Sequence, residues 1–141
     1  MRVGRLGGAG GGFLVAVLAA AAGCGSGKPM GQVEGRVTFK GQPVTEGMIS
    51  FSNAAGEGAE APLGPEGKYL IRTPQGGLPV GDYVVTVTPG TYVDNSDPKT
   101  PPAVEEKRAP NIPPRYRRLG STPLKATVQE GKNVFDFDLK P

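Results

Sequence analysis

Val33-Glu34-Gly35-Arg36-Val37-Thr38-Phe39-Lys40 alternates apolar or small residues with polar ones at every step. Successive side chains of an extended chain point to opposite sides, so Val33, Gly35, Val37 and Phe39 share one face and the polar residues share the other. The stretch predicts a half-buried β-strand. Lys40-Gly41-Gln42-Pro43 follows it with turn chemistry.

The same period recurs downstream. Ile49 and Phe51 mark a strand over 48–52, and Tyr69 and Ile71 face inward from another over 68–73. Tyr83, Val85 and Val87 share a face of 82–88, opposite Asp82, Thr86 and Thr88. Strands over 124–128 and 134–139 close the chain, the latter with Phe135, Phe137 and Leu139 inward. Glu130-Gly131-Lys132-Asn133 between them reads as a hairpin connection. Residues 53–66 lack alternation and read as a surface loop. No stretch after residue 24 has helical periodicity. About seven short strands, with turn signals roughly every ten residues, predict an all-β, antiparallel Greek-key β-sandwich over 32–140. The exception is 90–122, expected to be a long Pro-rich loop, extended and partly mobile. Its prolines at 98, 101, 102, 110, 113 and 114 block a central strand or a helix.

With 141 residues the chain has room for one domain with a single core. The formal charge of +3 includes Arg2 and Arg5 of the N-terminal segment, so the body is close to neutral. A nucleic-acid partner is not expected, because phosphate backbones are held by a clear excess of clustered cations. There is one cysteine and no histidine. The chain thus lacks an internal disulfide, the commonest metal ligand and the commonest general base. No catalytic residue, cofactor or metal is expected, and a hydrolase is the most distant reading.

The N-terminus has its own logic. Arg2 and Arg5 precede a glycine-rich spacer and the apolar run Phe13 to Ala22, which small residues separate from Cys24. This is signal-peptide architecture over 1–23. The run is roughly half the length that an α-helix needs to cross a bilayer core. Ala21-Ala22-Gly23-Cys24 resembles the lipobox of bacterial lipoproteins, although Ala21 stands where that pattern prefers Leu. The resemblance implies cleavage before Cys24, acylation of its thiol (palmitate among the acyl groups) and a membrane anchor at the cell envelope. Ala20-Ala21-Ala22 also satisfies the small-x-small rule of ordinary signal peptidase, which would release a soluble periplasmic or secreted protein. A lone exposed thiol in an oxidising compartment favours the lipidated form. Gly25 after Cys24 leaves the outer membrane and the periplasmic face of the inner membrane both open. Residues 24–31 read as a flexible tether.

Val33 to Val44, Gly67-Lys68-Tyr69 and Gly81 to Val87, in this order, resemble the carboxypeptidase regulatory-like, transthyretin-like domains of envelope lipoproteins. So do Ile112 to Tyr116 and Phe135 to Leu139. The resemblance implies the Greek-key sandwich and a non-enzymatic structural or protein-interaction role. Accessory binding of polysaccharide or peptide is the alternative. One transthyretin-like branch hydrolyses a urate-derived ring with histidines, which this chain lacks.

Beyond Cys24, one cluster is a candidate contact. Lys107, Arg108, Arg115, Arg117 and Arg118 can meet anionic headgroups, acidic polysaccharide or a carboxylate-bearing partner; the bland alternative is a solvated loop partly neutralised by Glu105 and Glu106. Asp94, Asn95 and Asp97 offer oxygen ligands without a calcium-loop spacing and read as a polar turn. Tyr92 and Tyr116 are expected to pack the Pro-rich loop down onto the sandwich. A Lys40–Asn133 isopeptide bond is disfavoured by the outward parity of Lys40.

Overall fold

The computed structural model describes residues 28–141. The chain is all-β: among the described residues there is no α-helix, and strands make two main sheets and a separate ribbon. The first sheet is centred on β1 (Met30–Phe39). The long C-terminal strand β11 (Gly131–Leu139) lies on one side of it. Along its other side, end to end, lie β6 (Leu78–Pro79), β5 (Lys68–Ile71) and β2 (Gln42–Pro43). The second sheet has the order β10 (Lys125–Val128), β7 (Gly81–Thr88), β3 (Met48–Ser52), β4 (Gly58–Pro62). The ribbon pairs β8 (Thr91–Asp94) with β9 (Ala103–Glu106).

The alternation in the sequence places the core. Val33, Val37, Tyr69, Ile71, Phe137 and Leu139 from the first sheet meet Ile49, Phe51, Tyr83, Val85, Val87 and Val128 from the second in one buried cluster. Phe51 lies at its centre, with the rings of Tyr69, Phe135 and Phe137 across the sheet interface at 6.0, 6.3 and 6.3 Å. Such pairs add about 0.5–1.5 kcal/mol each beyond simple burial. Gly35 has a packing reason. A Cβ there would lie 1.9 Å from Phe135 O and 2.9 Å from the Tyr69 hydroxyl. Glycine leaves the cross-strand Tyr69 room to donate its hydroxyl proton to Phe135 O at 2.7 Å. Lys40 and Gly41, at φ 52° and 79°, form the two-residue turn from β1 to β2, and positive φ at both positions is the type I′ requirement.

Several expectations need correcting. The pair of the central strand β1 with β11 is parallel, and all other pairs are antiparallel. Residues 130–133 are not a hairpin connection. β10 joins the second sheet and β11 the first, so the chain changes sheets at Gln129 and Glu130. Asn133 lies within β11, and its side chain builds that corner by accepting from Gln129 N (3.0 Å) and donating to Gln129 O (2.8 Å) and Gln32 O (3.0 Å). The supposed loop 53–66 contains β4, which pairs with all of β3. Its Gly-Ala-Glu-Ala-Pro composition gives little β signal, and Pro62 is tolerated because β4 is an edge strand. The expected count of about seven holds for strands of four residues or more in the two main sheets. β2 and β6 are two-residue bridges, and the ribbon is additional.

Residues 28–31, expected to belong to a tether, are part of the fold. Met30 and Gly31 are already in β1, Pro29 O accepts from Val80 N at 3.0 Å, and Lys28 Nζ lies 2.9 Å from Glu57. Tyr83 closes a nearby corner by donating to Pro79 O, four residues back, at 2.8 Å. This tyrosine corner fixes the passage from β6 in one sheet to β7 in the other.

Candidate functional site

The Pro-rich segment is the part of the fold that does not belong to either sheet, and it is not an extended loop. Its first half is the β8–β9 ribbon. Thr91, Tyr92, Val93 and Asp94 pair with Glu106, Glu105, Val104 and Ala103. The ribbon stands in solvent: Val93 is 57% exposed and Val104, its cross-strand partner, 70%. Tyr92 donates to Glu105 at 3.0 Å along the ribbon. That bond to a carboxylate, more than the negative charge itself, raises the Tyr92 pKa. Tyr92 therefore does not pack the segment down, contrary to expectation.

The ribbon's tip is made of turns. Asp94 accepts from Ser96 N and Asp97 from Lys99 N, both at 2.9 Å. The backbone bond from Ser96 holds the Asp94 carboxyl below its ordinary pKa. These oxygens are engaged in local turn closure. No group of three or more His, Cys, Asp or Glu able to hold a metal occurs among the described residues.

The second half packs inward. β10 pairs only with Gly81 to Val84, which leaves the later half of β7 without a strand on that edge. There Thr122 Oγ1 donates to Val85 O at 2.7 Å and Val85 N donates to Leu124 O at 3.0 Å. A 3-10 turn, Pro114–Arg117, fills the gap, and Ile112 and Tyr116 enter the core at 0% and 2% exposure. Thr86, on the face of β7 opposite Tyr83, Val85 and Val87, is buried as well, at 6%.

The basic cluster divides along the same line. Arg117 is a staple for this turn: Nε donates to Ile112 O at 2.8 Å and Nη2 to Ala109 O at 3.0 Å and Ile112 O at 2.6 Å. Its Nη1 reaches Glu106 at 3.4 Å. Arg115 lies over the Tyr116 ring, 4.9 Å from its centre, and donates to Lys140 O at 2.8 Å. Lys140 N in turn donates to the Tyr116 hydroxyl at 2.8 Å. Lys107 pairs with Glu46 at the ribbon's foot, where its N–H donates to Gly90 O at 2.7 Å. Arg108 and Arg118 are exposed, and their side chains make no hydrogen bond or ion pair among the described residues. The structure thus brings Lys107, Arg115 and Arg117 to one end of the fold in structural roles.

Cys24, Ala21, Ala22 and Gly23 lie outside the described residues. No helix of the described residues is long and apolar enough to cross a membrane. A second surface feature lies where the chain enters the fold. It is an open groove of about 430 Å³ bordered by Lys28, Met30, Glu57, Thr73, Gln75 and Leu78. No protein-family model, curated protein or solved structure matches this chain.

Proposed function

We propose that this chain is a lipid-anchored protein of a bacterial cell envelope, in which a non-enzymatic β-domain makes structural or protein contacts. The observation that carries the reading is a juxtaposition. A signal-like segment ends just before Cys24, and Pro29 and Met30, five and six residues on, are already bonded into the fold. Two or three acyl chains at Cys24 would make the attachment stable, since one chain alone binds marginally. The contact surface is the ribbon Thr91–Glu106, whose Val93 and Val104 face solvent. Catalysis is left out of the proposal because the chain has no histidine and the clustered cations serve the fold.

At the finer level of fold, we propose the Greek-key arrangement of transthyretin-like, carboxypeptidase regulatory-like domains. Two sheets of these orders and the tyrosine corner between β6 and β7 support that assignment.

Intact mass measurement of the protein extracted from membranes tests the anchor. The expected species begins at Cys24 and carries acyl chains, and Cys24→Ala is expected to leave the membrane fraction. A Cys24→Ala protein that still partitions with membranes would refute the anchor. Pull-down with the ribbon intact and with Val93→Asp/Val104→Asp tests the contact role. Capture of a defined glycan by both forms, with no protein lost on substitution, would favour the accessory ligand-binding alternative.

A further inference from the structure

The N-terminal chain enters the fold at one end and the ribbon leaves it at the other. Lys28 is held by Glu57, and Val80 N donates to Pro29 O, so the start of β1 and the start of β7 lie together. β7 then runs to Thr88, which pairs with Met48 at the far end. There Val44 N donates to Val37 O near the end of β1, and Glu46 holds Lys107 at the ribbon's foot. Ten residues of β1 separate the two ends by about 30 Å at ~3.3 Å per residue, and the ribbon's foot lies at the far one.

The leash at the other end is short. Four residues from Cys24 to Lys28 span at most about 14 Å when fully extended. An anchor at Cys24, on which this inference rests, keeps the Lys28 end within reach of the headgroups. The outer face of the first sheet interleaves Glu34, Asp136 and Asp138 with Arg36, Lys68 and Lys132, and the exposed Arg72 adjoins it. With acids interleaved among the cations, that broad face lacks the basic cluster by which an anionic bilayer would draw it down.

We infer that the tethered domain stands end-on, with a lipid surface as the neighbour of its Lys28 end and the foot of the ribbon displayed on the order of 30 Å away. Lys107, Arg115 and Arg117 lie at the displayed end, so the headgroups of the anchoring bilayer are not their partners. Whatever the ribbon meets comes from the space beyond the membrane.

The test uses the full-length acylated protein reconstituted in vesicles containing a lipid with a quencher on its headgroup. Acylation removes the Cys24 thiol, so a new cysteine at the exposed Gln75→Cys or Lys99→Cys is the only one that takes a fluorophore. Several-fold stronger quenching at position 75 than at 99 is expected. Equal quenching, or stronger quenching at 99, overturns the orientation while leaving the anchor intact. Intact mass of the same sample keeps the two ideas apart: a protein without acyl chains overturns the anchor, and the orientation with it.

Discussion

Residues 90–106 and 107–122 are halves of one Pro-rich segment, yet they meet opposite fates. The first half pairs with itself and leaves Val93 and Val104 in water. The second half, no richer in apolar residues, buries Ile112 and Tyr116 as fully as any strand residue. The difference comes from where the sheets end. β10 is too short to cover β7, and Ile112 and Tyr116 close the opening that it leaves. No equivalent gap faces the ribbon, whose two strands have only each other. A two-stranded ribbon alone is marginally stable. Here its foot is fixed by Lys107 with Glu46 and Gly90, and by Arg117 with Glu106.

If this division is right, the largest effect belongs to the inward half. Tyr116→Ala removes a ring at 2% exposure and leaves Lys140 N and Arg115 without their shared hydroxyl. A loss of about 3–5 kcal/mol is expected by denaturant unfolding, in the range of large core truncations. A loss under about 1 kcal/mol would mean that the 3-10 turn is a surface feature and that the two halves are alike.

Arg117 tests what holds that turn. Arg117→Met keeps most of the stem but removes the donors to Ala109 O and Ile112 O. Hydrogen bonds from charged groups are worth about 1.5–3 kcal/mol, and the loss is expected in that range. Arg117→Lys should recover only part of it, because one ammonium cannot reproduce the planar fork. Full recovery by Lys would show that charge near Glu106, and not the fork, is what matters.

How much of this contrast the sequence carries depends on the residue. Strands with β-branched and aromatic residues on one parity, such as 68–71, are legible because side-chain period and burial coincide. β4 is not, since Gly58, Ala59 and Ala61 have too little side chain to mark a face. The corner at Gln129 and Glu130 is misread as a hairpin because its turn residues suit either; only long-range pairing with β1 or β7 decides between them. Within 90–122 the prolines correctly exclude a central strand. They say nothing of an isolated ribbon or a docked 3-10 turn, and the two halves carry equal numbers of prolines and of apolar residues. Of the five cations, the sequence shows the cluster; Arg117 and Arg115 as backbone clamps emerge only from contacts with Ile112 and Lys140.

The core also differs from the ribbon in its response to alkali. Burial, above all, and the charges of Asp136 and Glu34 push the Tyr69 phenol well above its ordinary range. Its neutral form is required in the fold, so the associated stability is fully present below the unfolded-state pKa of about 10 and is lost as pH rises above it. The expected loss approaches 1.4 kcal/mol per pH unit, and Tyr69→Phe should flatten the slope. Tyr92 on the ribbon is raised by its bond to Glu105 in an exposed, solvent-screened setting, so Tyr92→Phe should flatten the alkaline slope far less than Tyr69→Phe.

The smallest effect is expected at the ribbon itself. Val93→Thr with Val104→Thr keeps β-branched shape on both strands while replacing exposed methyl groups with hydroxyls. Neither side chain belongs to the core cluster, so unfolding free energy should change by no more than about 0.5 kcal/mol. Amide exchange should separate the regions in the unchanged protein as well. Tyr92 to Asp94 and Ala103 to Glu105 are expected to exchange through local opening, while Val85 and Val87 wait for global unfolding. Protection of the ribbon equal to that of β7 would show that it is bound into the cooperative unit. A surface so tightly integrated would have little freedom to adapt to a partner.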